Sequence, residues 1–488
     1  MKKLVFLPID SRPCTYDFPQ KLLKGGDWTI IVPPLDNMDW FINPSNFSTQ
    51  KDWLFHECKD SQMLILSVDQ LVYGGLLTSR KNKISLDDCL GRLSFLERLK
   101  KENPNLKICI FSIIMRTSIS SLSEKSQKWW ELVTEFSYLY YQVKVNPSLE
   151  LKQKLKEVQN KIPTYVLDEY LKVRKRNHEI NSACINLVYK NVVNELVLLQ
   201  EDCTKKSIQK VEQKELINQI IKYHVEEKVY LHNGTDEVAS ELCLRAVAGK
   251  NPIPIQIIWL SDNHNFVARY EDRPFSENLV SHLQLLNLFE KNEAKDVLII
   301  LPPKSEQFDY CPLYYDKKKD YQNSEYNKMN LNIVNLIKKG KRCYILDLTH
   351  ANGGDLVFMK QLNEVVPLNN FFGYSAWNTA SNSLGCILSQ IVAGYKGFIS
   401  AGSSFFKERL LDDLIYQGFI RKNFEKELQK YDENIWNIKN MEKAQQILED
   451  CFDSSNFLVE ELIGEKVIFS KRLRWPRTFE IEINVKRS

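Results

Sequence analysis

Short apolar runs, each closing on a knot of polar residues and followed by a stretch with helical spacing, recur along this chain and restrict what it can fold into. The clearest is Val229 to Glu237, Val-Tyr-Leu-His-Asn-Gly-Thr-Asp-Glu. An apolar run bounded by Asn-Gly reads as a buried strand ending in a turn. The next residues, Val-Ala-Ser-Glu-Leu-Cys-Leu-Arg-Ala, are spaced as a helix. Asp236 and Glu237 are therefore expected between a strand's carboxyl end and a helix's start, where α/β enzymes place their chemistry.

The same grammar repeats in both directions. Leu4 to Ile9 delivers Asp10, Ser11 and Arg12, and Met63 to Val68 delivers Asp69 ahead of Tyr73-Gly74-Gly75. Lys107 to Ile114 ends near Arg116, and Glu195 to Leu199 runs into Gln200-Glu201-Asp202. Further strands are expected at Thr29 to Val32, Ile255 to Leu260, Val297 to Leu301, Cys343 to Leu346 and Phe371 to Tyr374. The last two lead to Asp347, His350, Asn352 and Asp355, and to Trp377, Asn378 and Asn382.

Strands separated by helices imply a parallel sheet, because a parallel connection needs a long crossover. About eight such units predict a closed TIM-barrel-like (β/α)8 fold. The candidate strands exceed eight, so open doubly wound parallel sheets are the alternative. The barrel-like catalytic domain is expected over 1–402, with a charged helical insertion at about 120–191. Within that insertion Arg174, Arg176 and Asn177 either face a ligand or are simply solvated. Residues 304–330 read as a surface loop, and 403–488 as a helical and hairpin extension packed on the domain. No internal repeat of fixed length is visible.

The chain of 488 residues carries a formal net charge of +4, too small an excess to suggest a nucleic-acid or membrane partner. Its cysteines are scattered, several within apolar runs, without metal-type spacing, which fits reduced core thiols in a cytoplasmic protein. The first apolar stretch meets Asp10, Arg12 and Pro13 at once, so it reads as a strand and not as a secretory leader. No apolar segment approaches the roughly 18 residues needed to span a bilayer.

Several segments together resemble a bacterial family catalogued as domain of unknown function 4127 (DUF4127). They are Leu-Pro-Ile-Asp-Ser-Arg-Pro-Cys at 7–14, Asp-Gln-Leu-Val-Tyr-Gly-Gly-Leu-Leu-Thr-Ser-Arg at 69–80, Asn-Gly-Thr-Asp-Glu-Val at 233–238, His-Ala-Asn-Gly-Gly-Asp at 350–355, Ala-Trp-Asn-Thr-Ala-Ser-Asn-Ser-Leu-Gly at 376–385 and Trp-Pro-Arg-Thr-Phe-Glu at 475–480. Where the family looks like Gln-Asp-Asp, this chain has Gln200-Glu201-Asp202. The resemblance implies kinship along nearly the whole chain and no assigned activity.

The chemistry is therefore read from the residues. Two adjacent acid pairs, Glu201-Asp202 and Asp236-Glu237, supply what a glycoside hydrolase needs: a carboxyl that donates a proton and another that stabilises positive charge. Glu237 is the expected general acid and Asp236 its orienting partner, with Glu201 and Asp202 in reserve. In the substrate-assisted variant a 2-acetamido group is the nucleophile, as in N-acetylhexosaminidases, and the Asp holds it. The bland alternative is that each pair caps the following helix.

Asp10, Arg12, Asp69, Asn352, Asp355 and Asn378 are expected to bind sugar hydroxyls, and Tyr73 and Trp377, with Trp259, to stack on a sugar face or to sit in the core. No cofactor or metal is expected, and the expected partner is a small carbohydrate. Two other functions stay open. Asp10, Asp69, Asp347, His350 and Asp355 would suit a metal-dependent phosphoryl or sulfuryl hydrolase. The aromatics alone would suit a non-catalytic carbohydrate-binding protein. Covalent catalysis by Cys14 or Cys203 has less support, since scattered cysteines are usually core. The glycine motifs of dinucleotide and nucleoside triphosphate sites, and that of serine hydrolases, are not found.

Overall fold

A computed structural model describes residues 2–120, 124–310, 323–463 and 467–486. The middle of the expected 304–330 loop, residues 311–322, lies outside the described residues. The chain divides into two compact units. The first comprises residues 1–16, 27–239 and 270–272, and the second 17–26, 240–269 and 273–488. The segment after 402 thus belongs to the second unit together with the strands that precede it.

The first unit is built on a six-stranded sheet: β1 (Lys2–Leu7), β2 (Trp28–Ile31), β3 (Met63–Ser67), β4 (Lys107–Ile114), β5 (Glu195–Gln200) and β6 (Val229–Asn233). Its order is β2-β1-β3-β4-β5-β6, and every pairing is parallel. Leu64 to Ser67 in β3 and Ile108 to Ile114 in β4 are buried without alternation. Unbroken apolar runs of this kind are the mark of a parallel sheet covered on both faces. Between β4 and β5 the chain passes through helices Glu124–Val145, Leu149–Lys161 and Thr164–Tyr189. They enclose a satellite core around Val133, Phe136, Val158, Leu167 and Val173.

The second unit holds β7 (Ile253–Trp259), β8 (Leu288–Glu290), β9 (Asp296–Leu301), β10 (Arg342–Asp347) and β11 (Gly373–Ser375) in the order β11-β10-β9-β7-β8, again all parallel. A separate antiparallel hairpin joins β12 (Phe469–Arg472) to β13 (Glu482–Val485). The strand β8 has too short an apolar run to be legible in the sequence.

Among the described residues no closed barrel forms. In the first sheet β2 pairs only with β1 and β6 only with β5, so both are edges. The expected TIM-like barrel is corrected to two open parallel sheets. In both units the first strand lies between the second and the third, with the fourth and fifth following. This is a doubly wound order, in which the chain runs one way from its first strand and then reverses. The barrel expectation failed for a physical reason: apolar runs report burial on both faces, which a barrel and a covered open sheet share. Strand order depends on which backbones pair, and periodicity does not carry it.

Candidate functional site

In a doubly wound sheet a crevice opens at the carboxyl ends of the two strands where the order reverses. In the first unit these are β1 and β3, and their ends carry Asp10 and Asp69. Asp10 and Arg12 are fully or almost fully buried. The Arg12 Nε donates to Asp10 Oδ2 at 2.8 Å, while Nη1 and Nη2 donate to the two oxygens of Asp236 at 2.9 and 2.6 Å. Thr15 Oγ1 donates to Asp10 Oδ1 at 2.6 Å. Three strands separate β1 from β6, about 19 Å at the usual spacing. The loop after β6 must therefore fold back over the strand ends to bring Asp236 to Arg12.

Asp39, in the loop after β2, is buried beside this pair. Burial and then the neighbouring Asp10 charge push its carboxyl well above the ordinary range, against the pull of Arg12. Nothing in the sequence points to it except the paired glycines. Gly75 has φ +135°, and a Cβ there would stand 2.8 Å from Asp39 Cγ. Only glycine lets the chain pass so close.

Asp69 extends the network. Its Oδ2 accepts from the Ile113 amide at 3.0 Å, and burial, together with the Glu201 charge, pushes its carboxyl up to about 7 against that hydrogen bond. Glu201 is itself raised by burial, and Arg80 and Arg116 pull it back. Arg80 pairs with Glu201, and Arg116 with Asp202. Asp236 also bears on Glu201 electrostatically. Asp10, Arg12, Asp69, Glu201, Asp202 and Asp236 are thus joined in one buried charge network at the strand ends. Asp39, Arg80 and Arg116 belong to it and were assigned no role from sequence.

The insertion helix Thr164–Tyr189 holds the loops that carry these arginines. Arg174 makes two hydrogen bonds to Glu212, at 2.8 and 2.6 Å, and donates to the carbonyls of Met115 and Arg116 at 3.1 and 2.6 Å. Arg176 donates to the carbonyls of Ser79, Lys81 and Ile84 at 2.6, 2.9 and 3.2 Å, and Asn177 donates to Ser79 O at 3.0 Å. These side chains are buried, and their polar groups hold backbone carbonyls and Glu212. Arg176 also lies 4.6 Å above the Tyr73 ring, which is buried in the core of the first unit. Tyr73 is thus a core aromatic. Glu237 is buried, and its Oε2 accepts from the Thr235 amide at 3.0 Å.

The remaining candidates lie in the second unit. Asp355 caps helix Leu356–Val365 by accepting from the Phe358 amide at 3.0 Å, and it accepts from Tyr326 Oη at 2.5 Å. Its amide donates to Asp347 Oδ2 at 2.6 Å, and burial pushes the Asp347 carboxyl up to about 6. Asn352 Nδ2 donates to Asp309 Oδ1 at 3.0 Å. Burial lowers the His350 imidazole below its ordinary value. Trp377 is buried with its ring 5.2 Å from Phe479, and its carbonyl accepts from Asn382 Nδ2 at 3.0 Å. Asn378 follows with a left-handed φ of 71°. Trp259 stacks on His264 at 4.3 Å. Gly353 marks a close approach: a Cβ there would meet Gly418 N at 2.7 Å.

Fold and site together define a two-unit α/β protein with doubly wound parallel sheets and a buried carboxylate and arginine network at the strand ends of the first unit. The chain belongs to the family described as "Protein of unknown function (DUF4127)", whose model matches residues 4–484. No curated protein matches it. Among the described residues no helix is long and apolar enough to cross a membrane.

Proposed function

We propose that the protein is a glycoside hydrolase that works by general acid–base catalysis at the strand ends of its first unit. The observation that carries this reading is a set of acids at the strand ends, Asp69 and Glu201, both raised by burial and the first raised also by the charge of the second, with an Asp236 fixed by both arms of Arg12. A carboxyl raised towards neutrality can donate a proton to a leaving oxygen, and a neighbouring carboxyl can take the second role.

Proton transfer is assigned to Asp69 and Glu201 in preference to Glu237, whose Oε2 accepts a hydrogen bond from the Thr235 amide of its own turn. Asp236, held rigidly by Arg12, is the residue suited to orient a substrate group. A 2-acetamido substituent is the first group to test there, because it can serve as internal nucleophile once an Asp holds it. The ten described cysteines are buried thiols, which supports a reducing compartment, and we place the protein in the cytoplasm.

The experiment is a panel of nitrophenyl glycosides, including 2-acetamido sugars, assayed with and without chelator. Cleavage that ignores chelator and is lost in Asp69→Asn and Glu201→Gln is the expected result. Chelator-sensitive release of phosphate or sulfate from the corresponding esters would replace this reading with a metal-dependent hydrolase. Sugar binding without turnover of any substrate would replace it with a binding protein.

A further inference from the structure

A cavity of about 300 Å³ lies within the first unit, between the strand-end loops and the helical insertion. Its wall includes Arg80 and Lys81 from the loop after β3, and Trp129, Tyr165, Glu169 and Tyr170 from the insertion. This volume is at the small end of ligand sites, fitting one compact molecule. The wall is lopsided in two ways. The wall carries Arg80 and Lys81 against Glu169, with Arg80 also paired to Glu201, and two of its buried donors have no acceptor.

The Arg80 side chain is only 7% exposed. Its Nη1 donates to Ser120 Oγ at 2.8 Å and its Nη2 to Glu201, yet its Nε–H has no acceptor. The indole N–H of Trp129 is buried without an acceptor as well. A buried donor left so is destabilising, and an acceptor-rich ligand would recover the loss. The rest of the wall supplies flat apolar surface from an indole and two phenol rings. A neutral apolar molecule would leave both donors unsatisfied, and a bare inorganic anion would leave the aromatic surface uncovered.

We propose that this cavity binds a carboxylate-bearing sugar, with the acid recognised by Arg80 and Lys81 and the ring resting on the aromatic wall. The proposal rests on the glycoside hydrolase reading and narrows it: the substrate is an acidic saccharide. Arg80 links the two, since the same guanidinium that lines the cavity pairs with Glu201. Specificity for charge follows from the wall, because a neutral sugar brings no anion to Arg80 and Lys81.

The test is calorimetric titration of the full chain with methyl glucuronides of both anomers, methyl glucosides, methyl N-acetylglucosaminides and inorganic phosphate. A glucuronide should bind at least tenfold more tightly than its neutral counterparts and than phosphate. Lys81→Met should erase most of that preference, and Trp129→Phe should weaken the glucuronide about tenfold. Lys81→Met leaves the packed interior untouched, so it decides the matter if the Trp129 variant does not fold.

Equal affinity for glucuronide and glucoside overturns the proposal. So does phosphate binding as tightly as glucuronide, or a glucuronide preference unchanged in Lys81→Met. The two readings fail separately. Glucuronide binding with no cleavage of any nitrophenyl glycoside removes the hydrolase and leaves the acidic-sugar site, whereas efficient cleavage of neutral glycosides with no glucuronide preference does the reverse.

Discussion

Arg12 holds Asp236 through two hydrogen bonds of 2.6 and 2.9 Å across a sequence separation of 224 residues. The same guanidinium binds Asp10 at 2.7 Å. One arginine therefore ties the end of β1 to the loop after β6, and the planar fork of its donors suits two carboxylates at once.

Replacing that arginine should expose the dependence. Arg12→Met leaves Asp10 and Asp236 buried without the cation between them, and a loss of about 3–5 kcal/mol is expected. Arg12→Lys keeps the charge but loses the fork, so a smaller loss is expected. Denaturant unfolding of both variants measures the difference. Equal stability of Arg12→Met and wild type would show that the pair does not hold the loop.

Asp69 gives stability a pH dependence with a defined sign. Burial pushes its carboxyl up to about 7 in the folded protein, from an ordinary value of 3.8. Between those values the unfolded chain releases a proton that the folded one keeps. The contribution is complete below the lower value, declines as pH rises and is gone above about 7. At roughly 1.4 kcal/mol per pKa unit it amounts to at most about 4 kcal/mol. Asp69→Asn removes this slice, so the stability of wild type relative to the variant should fall steadily between pH 4 and 7. A difference that stays constant over that range would contradict the buried, protonated carboxyl.

The glycines separate crowding from simple freedom. Gly75→Ala places a methyl 2.8 Å from Asp39 at a φ of +135°, and a loss of about 3 kcal/mol is expected from strain and overlap together. Gly91 lies in helix Leu86–Leu93 with nothing within 4 Å of an added Cβ. Gly91→Ala should gain up to about 1 kcal/mol from helix propensity alone. Thermal melting of the two variants should therefore move in opposite directions.

The clamp by Arg176 can be set against an ordinary surface arginine. Arg176→Met strips buried donors from the carbonyls of Ser79, Lys81 and Ile84, and a loss of about 2–4 kcal/mol is expected. Arg98 makes an exposed pair with Glu102, its side chain 67% exposed. Arg98→Met should change stability by less than about 0.5 kcal/mol. Comparable effects of the two substitutions on the unfolding midpoint would deny the clamp.

The sequence by itself determined most of the strands and the polar residues that stand at their ends. Runs such as Met63–Ser67 and Asp296–Leu301 are apolar without alternation because both faces are covered, and that constraint is written in consecutive residues. The polar residues at their ends follow from where each run stops, which is why Asp10, Asp69, Glu201 and Asp236 could be named. Family membership was equally legible, because it rests on linear motifs.

Only tertiary structure decided the rest. Open sheets replaced the barrel because strand order is settled by which backbones hydrogen-bond, and both covered sheets and barrels look alike residue by residue. Asp39 and Arg80 joined the charge network, Tyr73 went to the core, and Arg174 and Arg176 turned to carbonyls rather than to a ligand. In each case the partner lies dozens to hundreds of positions away. A side chain's role follows from the charge and space around it after folding, and local pattern does not contain those neighbours.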